Sequence, residues 1–178
     1  KPSNDVVTLG HSDRDLDEFL ELTRAHDVSR LIDVRRYPNS RRHPQFNQGN
    51  LEDCLEEEGV EYEHWPEIGG FRDPDPDSPN TALEGGFRAV ADHLNSNAGQ
   101  ETMDQLEYLV NATDDGDRLA LICAEKDPQR CHRKLISDHL TIRGIVVRHL
   151  INSGESRTHE LHPNAREDEG GVVYPGLL

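Results

Sequence analysis

Apolar positions fall along this chain in short islands, and their spacing switches between the period of a strand and that of a helix. Asp5-Val-Val-Thr-Leu-Gly10 reads as a first strand. Leu16, Phe19, Leu20 and Thr23 then follow helical spacing to about His26, with Ser12 and Asp15 spaced as in a capping box. Arg30 to Arg36 is a second strand ending in charge, followed by a loop from Tyr37 to Phe46 that carries two prolines. Asn50 is expected to cap a helix that turns Leu51, Cys54 and Leu55 inward and stops at Gly59; Glu61 to Trp65 alternates as a third strand. After a Gly-, Pro- and Asp-rich loop from Pro66 to Gly86, two helical faces appear: Phe87, Val90, Ala91 and Leu94, then Met103, Leu106 and Val110. Leu119 to Ala124 is a buried strand. Asp127 and Pro128 suit the N-cap and first position of a helix that Gly144 ends near Arg143, and Ile145 to Ile151 is the last strand. Strands alternating with helices imply crossover connections and an α/β fold: a three-layer sandwich with a mostly parallel sheet of about five strands. One domain over residues 1–151 is expected, with a polar C-terminal extension, 152–178. Its apolar coda (Val172, Val173, Tyr174) would add an edge strand or dock on the domain.

Charge changes the picture. Net charge is −16, from 35 acidic against 19 basic residues, and all the basic ones but Lys1, Lys126 and Lys134 are arginine. A dense acidic surface nearly stripped of lysine resembles the proteins of salt-loving organisms. It opposes non-specific nucleic-acid binding at low salt, while leaving room for a local basic site. No apolar run reaches eighteen residues and no signal-peptide core opens the chain, so a cytoplasmic protein without a membrane partner is expected. Three cysteines, Cys54, Cys123 and Cys131, suit reduced thiols better than a disulfide framework.

Ligands of parallel sheets bind beyond the C-terminal ends of the strands, and three polar clusters lie just past such ends. They are His11-Ser12; Asp33 with Arg35, Arg36, Arg41 and Arg42; and Cys123 and Glu125 with Cys131-His132-Arg133. Arginine forks bind phosphate or carboxylate, so Arg35, Arg36, Arg41, Arg42 and Arg133, with Ser12, are candidate substrate-binding residues. The bland alternative is pairing with the abundant carboxylates. Cys131, expected in the first turn of a helix beside His132 and Arg133, would have its thiolate favoured, which suits a nucleophile or a metal ligand. Against that stands ordinary packing of two small apolar side chains. The cysteine spacing is neither a zinc knuckle nor a C-x-x-C redox motif. Nor is it a C-x5-R phosphatase loop, since Gln129 stands six after Cys123. His11, Asp33, Glu125 and His132 are candidate acids and bases, Asp33 from inside an apolar strand with Arg35 or His11 as partner. Neither phosphate-loop fingerprint is present, and no motif points to a particular cofactor.

The strings Thr8 to Ser12, Leu31 to Arg36, Pro38 through Phe46, Glu67-Ile-Gly-Gly70 and Cys123 to Arg133 together resemble the domain-of-unknown-function family numbered 488, over about residues 6 to 151. The resemblance implies an α/β domain with these polar motifs gathered together, and no particular reaction. Phe71 to Gly85, acidic and proline-rich, is the least typical stretch. Three functions fit the residues: an enzyme acting on a phosphate-bearing substrate (a nucleotide or nucleic acid component), a non-catalytic anion- or nucleic-acid-binding domain, or thiol or metal chemistry at Cys123, Cys131 and His132.

Overall fold

A computed structural model describes residues 5–68, 73–169 and 171–176. Five strands run parallel: β1 (Val6–Gly10), β2 (Val28–Asp33), β3 (Glu61–His64), β4 (Arg118–Cys123) and β5 (Val147–Asn152). A sixth, β6 (Glu155–Thr158), joins β5 antiparallel, giving the order β3-β2-β4-β1-β5-β6. The sheet is thus mostly parallel and one strand wider than the periodicity suggested. The extra strand is exposed and charged, so it carries no apolar signal.

Period-two alternation sorts the strand side chains into two layers. Val7, Leu9, Leu31, Ala120 and Ile122 pack with α1 (Leu16–Ala25) and α2 (Gln48–Glu57). Val6, Ile32, Leu119, Leu121 and Cys123 face α3 (Gly85–Asn95), α4 (Asn97–Ala112) and α5 (Arg133–Ile142). Chain order runs outward from β1 to β3, then returns through β4 to β5. The crevice for ligands in such sheets lies where that order reverses, at the C-terminal edge.

Three local expectations are corrected. Ser12 does not cap α1: its N–H is bound to the Ala124 carbonyl at 2.8 Å and its φ is +47°, so it stays on the sheet edge while Asp15 begins the helix. Asn50 does not cap α2, which starts at Gln48 after Asn47. Asn50 instead donates to the Pro44 carbonyl, while the Asn47 side chain accepts the Ser40 N–H, folding the two-proline loop. The third correction bears on the site. Asp127 accepts the Gln129 N–H and Pro128 starts a turn, but the turn is 3-10 and ends at Arg130. Cys131 is then extended (φ −124°, ψ 145°), and α5 begins only at Arg133, running to the Gly144 stop.

The last described residues dock on the helices. A hairpin of β7 (Arg166–Asp168) and β8 (Gly171–Val173) leads into Tyr174, and Val172 and Tyr174 are both fully buried in the α3–α5 layer. Tyr174 binds the chain before α3 through both main-chain groups, its N–H to Asn80 Oδ1 and its carbonyl to the Ala82 N–H.

Candidate active site: two thiols around a buried arginine

Cys123 ends β4, on the face turned toward α3 and α5. Beyond it the chain lies so close to β1 that a Cβ on Gly10 would stand 1.8 Å from the Glu125 carbonyl oxygen, inside any allowed contact. Only glycine fits there, and the bonds from His11 and Ser12 N–H to Cys123 and Ala124 carbonyls (2.9 and 2.8 Å) hold the loop down. The extended backbone at Cys131 then turns its side chain inward, and its Sγ lies 2.6 Å from Cys123 Sγ. Both cysteines are free thiols and both are buried.

Arg133, the first residue of α5, is fully buried. Its Nη1 donates to Cys123 Sγ and to the Glu125 carbonyl, both at 2.5 Å, and its Nη2 to the Lys126 carbonyl at 3.0 Å. Its Nε has no partner among the described residues. No carboxylate among the described residues forms an ion pair with it. A guanidinium in a protein stays charged, and a buried charge needs compensation nearby. The two sulfurs and the Glu125 and Lys126 carbonyls are the groups placed to supply it, which favours a negative charge on the sulfur pair.

Which sulfur is ionised is a property of the pair. Burial alone would raise the Cys131 thiol. The hydrogen bond from Cys123 and the charge and N–H groups of Arg133 outweigh burial and bring it down to about 7. Burial and the proton shared with Cys131 hold Cys123 well above the ordinary thiol range. The guanidinium nonetheless sits nearest Cys123, so the two sulfurs titrate as one coupled pair with Cys131 as its acidic end. The Arg133 backbone N–H, at the start of α5, reaches Cys131 Sγ at 3.5 Å. The thiolate therefore keeps a helix N-terminus although Cys131 stands before the helix.

His132 lies beside the pair. Its Nε2 is 3.2 Å from the Val34 carbonyl, which can only accept, so Nε2 carries the proton. That leaves the Nδ1 lone pair facing Cys131 Sγ, at a loose 3.9 Å. Burial lowers the imidazole's affinity for a second proton, which favours an open Nδ1 lone pair. A thiol, an imidazole lone pair and an orienting carbonyl thus stand in the order that a nucleophile and its base would need.

Above the thiols opens a cavity of about 540 Å³. Its floor is Cys123, Cys131 and His132; Phe87 and Val90 of α3 form an apolar wall; Arg35, Arg36, Arg130 and Glu125 lie around it with Tyr37. Of the residues expected from sequence, this brings together Arg35, Arg36, Cys123, Glu125, Cys131 and His132, with Arg133 beneath. It does not include His11, Ser12, Asp33, Arg41 or Arg42. Arg41 and Arg42 are exposed on the two-proline loop. His11 is stacked on Phe46 (ring centroids 4.7 Å apart), and burial lowers its pKa to about 4. Asp33 is fully buried and accepts three bonds from Arg35, Nε at 2.9 Å, Nη2 at 2.7 Å and N at 3.1 Å, plus the Tyr62 hydroxyl. It orients Arg35 at the cavity wall. Sequence reasoning missed Arg130, Phe87 and Tyr37. Arg130 could have been found as the last residue of the Pro128 turn, one before Cys131; the other two carried no separate signal. Gly69 and Gly70 lie outside the described residues. Among the described residues no three His, Cys, Asp or Glu side chains gather as a metal site would require, and no helix is long and apolar enough to cross a membrane.

Fold and site together define an α/β protein with two adjoining thiols and a buried arginine at the C-terminal edge of a mostly parallel sheet. The chain belongs to the family described as Domain of unknown function DUF488, whose model matches residues 15–140. No curated protein and no solved structure matches it.

Proposed function

We propose that the protein is a thiol-dependent enzyme acting on a phosphate-bearing substrate, a nucleotide or nucleic acid component, held over Cys131. The observation that carries this reading is a fully buried guanidinium compensated by two sulfurs at the floor of an open cavity. Simple anion binding has no use for a buried thiolate. Cys131 is the nucleophile, His132 Nδ1 accepts its proton, and Cys123 donates the hydrogen bond that keeps Cys131 acidic. The phosphate belongs at the rim, with Arg36 and Arg130, because the loop at the floor turns carbonyls onto Arg133 instead of N–H groups outward. The apolar wall of Phe87 and Val90, with Tyr37 also lining the cavity, suits a flat ring.

The test is the pH profile of iodoacetamide alkylation at Cys131, in high salt, with and without nucleotides and short oligonucleotides. Half-maximal rate near pH 7 is expected, with protection by phosphate-bearing ligands that weakens about five- to tenfold in Arg36→Ala, as for one charge-assisted contact at an accessible site. An ordinary thiol profile centred near pH ~8.5, with no ligand protecting, overturns the reading.

A further inference from the structure

The arrangement of the two sulfurs supports more than a single nucleophile. We propose that Cys123 and Cys131 form a reversible two-electron couple, cycling between dithiol and intramolecular disulfide, with a small organic disulfide as the oxidant the cavity admits. This rests on reading Cys131 as the reactive thiolate. The sulfurs are 2.6 Å apart, so closing to a bond of roughly 2.05 Å needs only a small local shift. The eight-residue connection contains its own 3-10 turn, and Cys131 is already extended toward Cys123. Both sulfurs border the cavity, so a substrate sulfur can reach them from one side.

The roles follow from the environment. Cys131, beside the His132 lone pair and the Arg133 N–H, attacks; Cys123, protonated and directed at Cys131, resolves. In the first step the Cys131 thiolate bonds to one sulfur of RS–SR and expels RS⁻. Cys123 then gives its proton to that RS⁻, its sulfur bonds to Cys131 Sγ, and the second RS⁻ leaves, taking up the proton Cys131 had released. The substrate disulfide has gained two electrons and, with the two protons released by the cysteines, becomes two thiols. The cysteines are oxidised to one disulfide.

Arg133 sets the direction of the couple. In the dithiol form it has an anionic partner; in the disulfide it keeps only the Glu125 and Lys126 carbonyls. A buried charge stripped of its partner destabilises the oxidised form, so small thiols should reduce the disulfide readily.

The experiment uses the full chain at high salt, equilibrated with hydroxyethyl disulfide and mercaptoethanol at varied ratios. It is quenched in acid, denatured, alkylated and mapped by mass spectrometry. Expected is a Cys123–Cys131 disulfide with Cys54 still alkylatable, and a stable mixed disulfide on Cys131 in Cys123→Ser. In Arg133→Met the midpoint should shift at least about tenfold toward the disulfide. A mixed disulfide on Cys131 that persists in the wild type, with Cys123 alkylatable, overturns the couple and leaves the reactive thiolate standing. Three alkylatable thiols at every ratio overturn both. The wild-type map alone decides between these outcomes should a variant fail to fold.

Discussion

Two buried polar clusters lie on α5, and they differ in how completely they are satisfied. At its N-terminus stand the two thiols and Arg133, with an Nε lacking a partner among the described residues and a cavity overhead. One turn on, Asp138 begins a closed chain of hydrogen bonds. His159 Nε2 reaches Asp138 Oδ1 at 2.6 Å, the two imidazoles of His149 and His159 meet at 2.8 Å, and Thr8 Oγ1 reaches His149 Nδ1 at 2.6 Å. The Tyr174 hydroxyl donates to the other Asp138 oxygen at 2.8 Å. With one proton on each ring, every donor points the same way, toward the carboxylate. This second cluster ties β1, β5, α5 and the C-terminal segment together with its polar atoms paired. Buried networks that are fully satisfied specify and rigidify, whereas an incompletely satisfied one beside a cavity has capacity left for a ligand or a reaction. On the function proposed above, anchoring falls to Asp138 and chemistry to the cluster at Arg133, from helix positions only five residues apart.

Removing the cation should separate the two most sharply. Arg133→Met keeps much of the volume and takes away the charge. The Cys131 alkylation profile should move up from about pH 7 by roughly two units, making the reaction at neutral pH about fiftyfold slower. A profile that stays in place breaks the assignment. Asp138→Ala should do the reverse, leaving alkylation near the wild-type rate while lowering stability by about 3 kcal/mol, since it strands His159 and Tyr174. Urea unfolding measures that loss, and a loss confined to reactivity would contradict the anchoring role.

The imidazoles predict a pH dependence. Burial lowers His149 to about 3 and His139 to about 4, against ~6.5 in an unfolded chain. Between those values the unfolded chain binds the extra proton, so stability falls as pH drops from 6.5 toward 4. Each such histidine contributes a slope of up to about 1.4 kcal/mol per pH unit, and none above that window. Urea midpoints across pH 4 to 8 check this, and a flat profile below 6.5 would remove it. His139 belongs to neither cluster: it is buried with both ring nitrogens lacking partners among the described residues. His139→Leu should stabilise the protein by about 1 kcal/mol and lessen the acid slope, as a modest rise in thermal midpoint.

Much of this architecture is legible in the residues in order. Apolar period sets which face of a strand or helix is buried, and that is a local property. Leu119 to Cys123, Phe19 and Leu20, and the Gly144 stop could thus be read without a partner in view. Parallel strands then gather the residues just past their C-terminal ends, which brought Arg35, Arg36, Cys123, Glu125, Cys131 and His132 around one cavity. Other features were settled by tertiary contact. Asp127-Pro128 has the local form of a helix start, yet the packing of Cys131 against Cys123 and Arg133 draws that residue into an extended conformation and delays the helix. Arg133 at a helix N-terminus looks like a surface cation, but the β4–α5 loop folds over it. Tyr174 is legible only as part of an apolar coda, His149 and His159 carry no separate signal, and the three meet Asp138 only because β5 pairs with β6 and the final hairpin docks on α5. Spacing along a chain fixes which way a side chain faces, whereas its partner, and hence its charge, depends on strands and loops distant in sequence arriving in register.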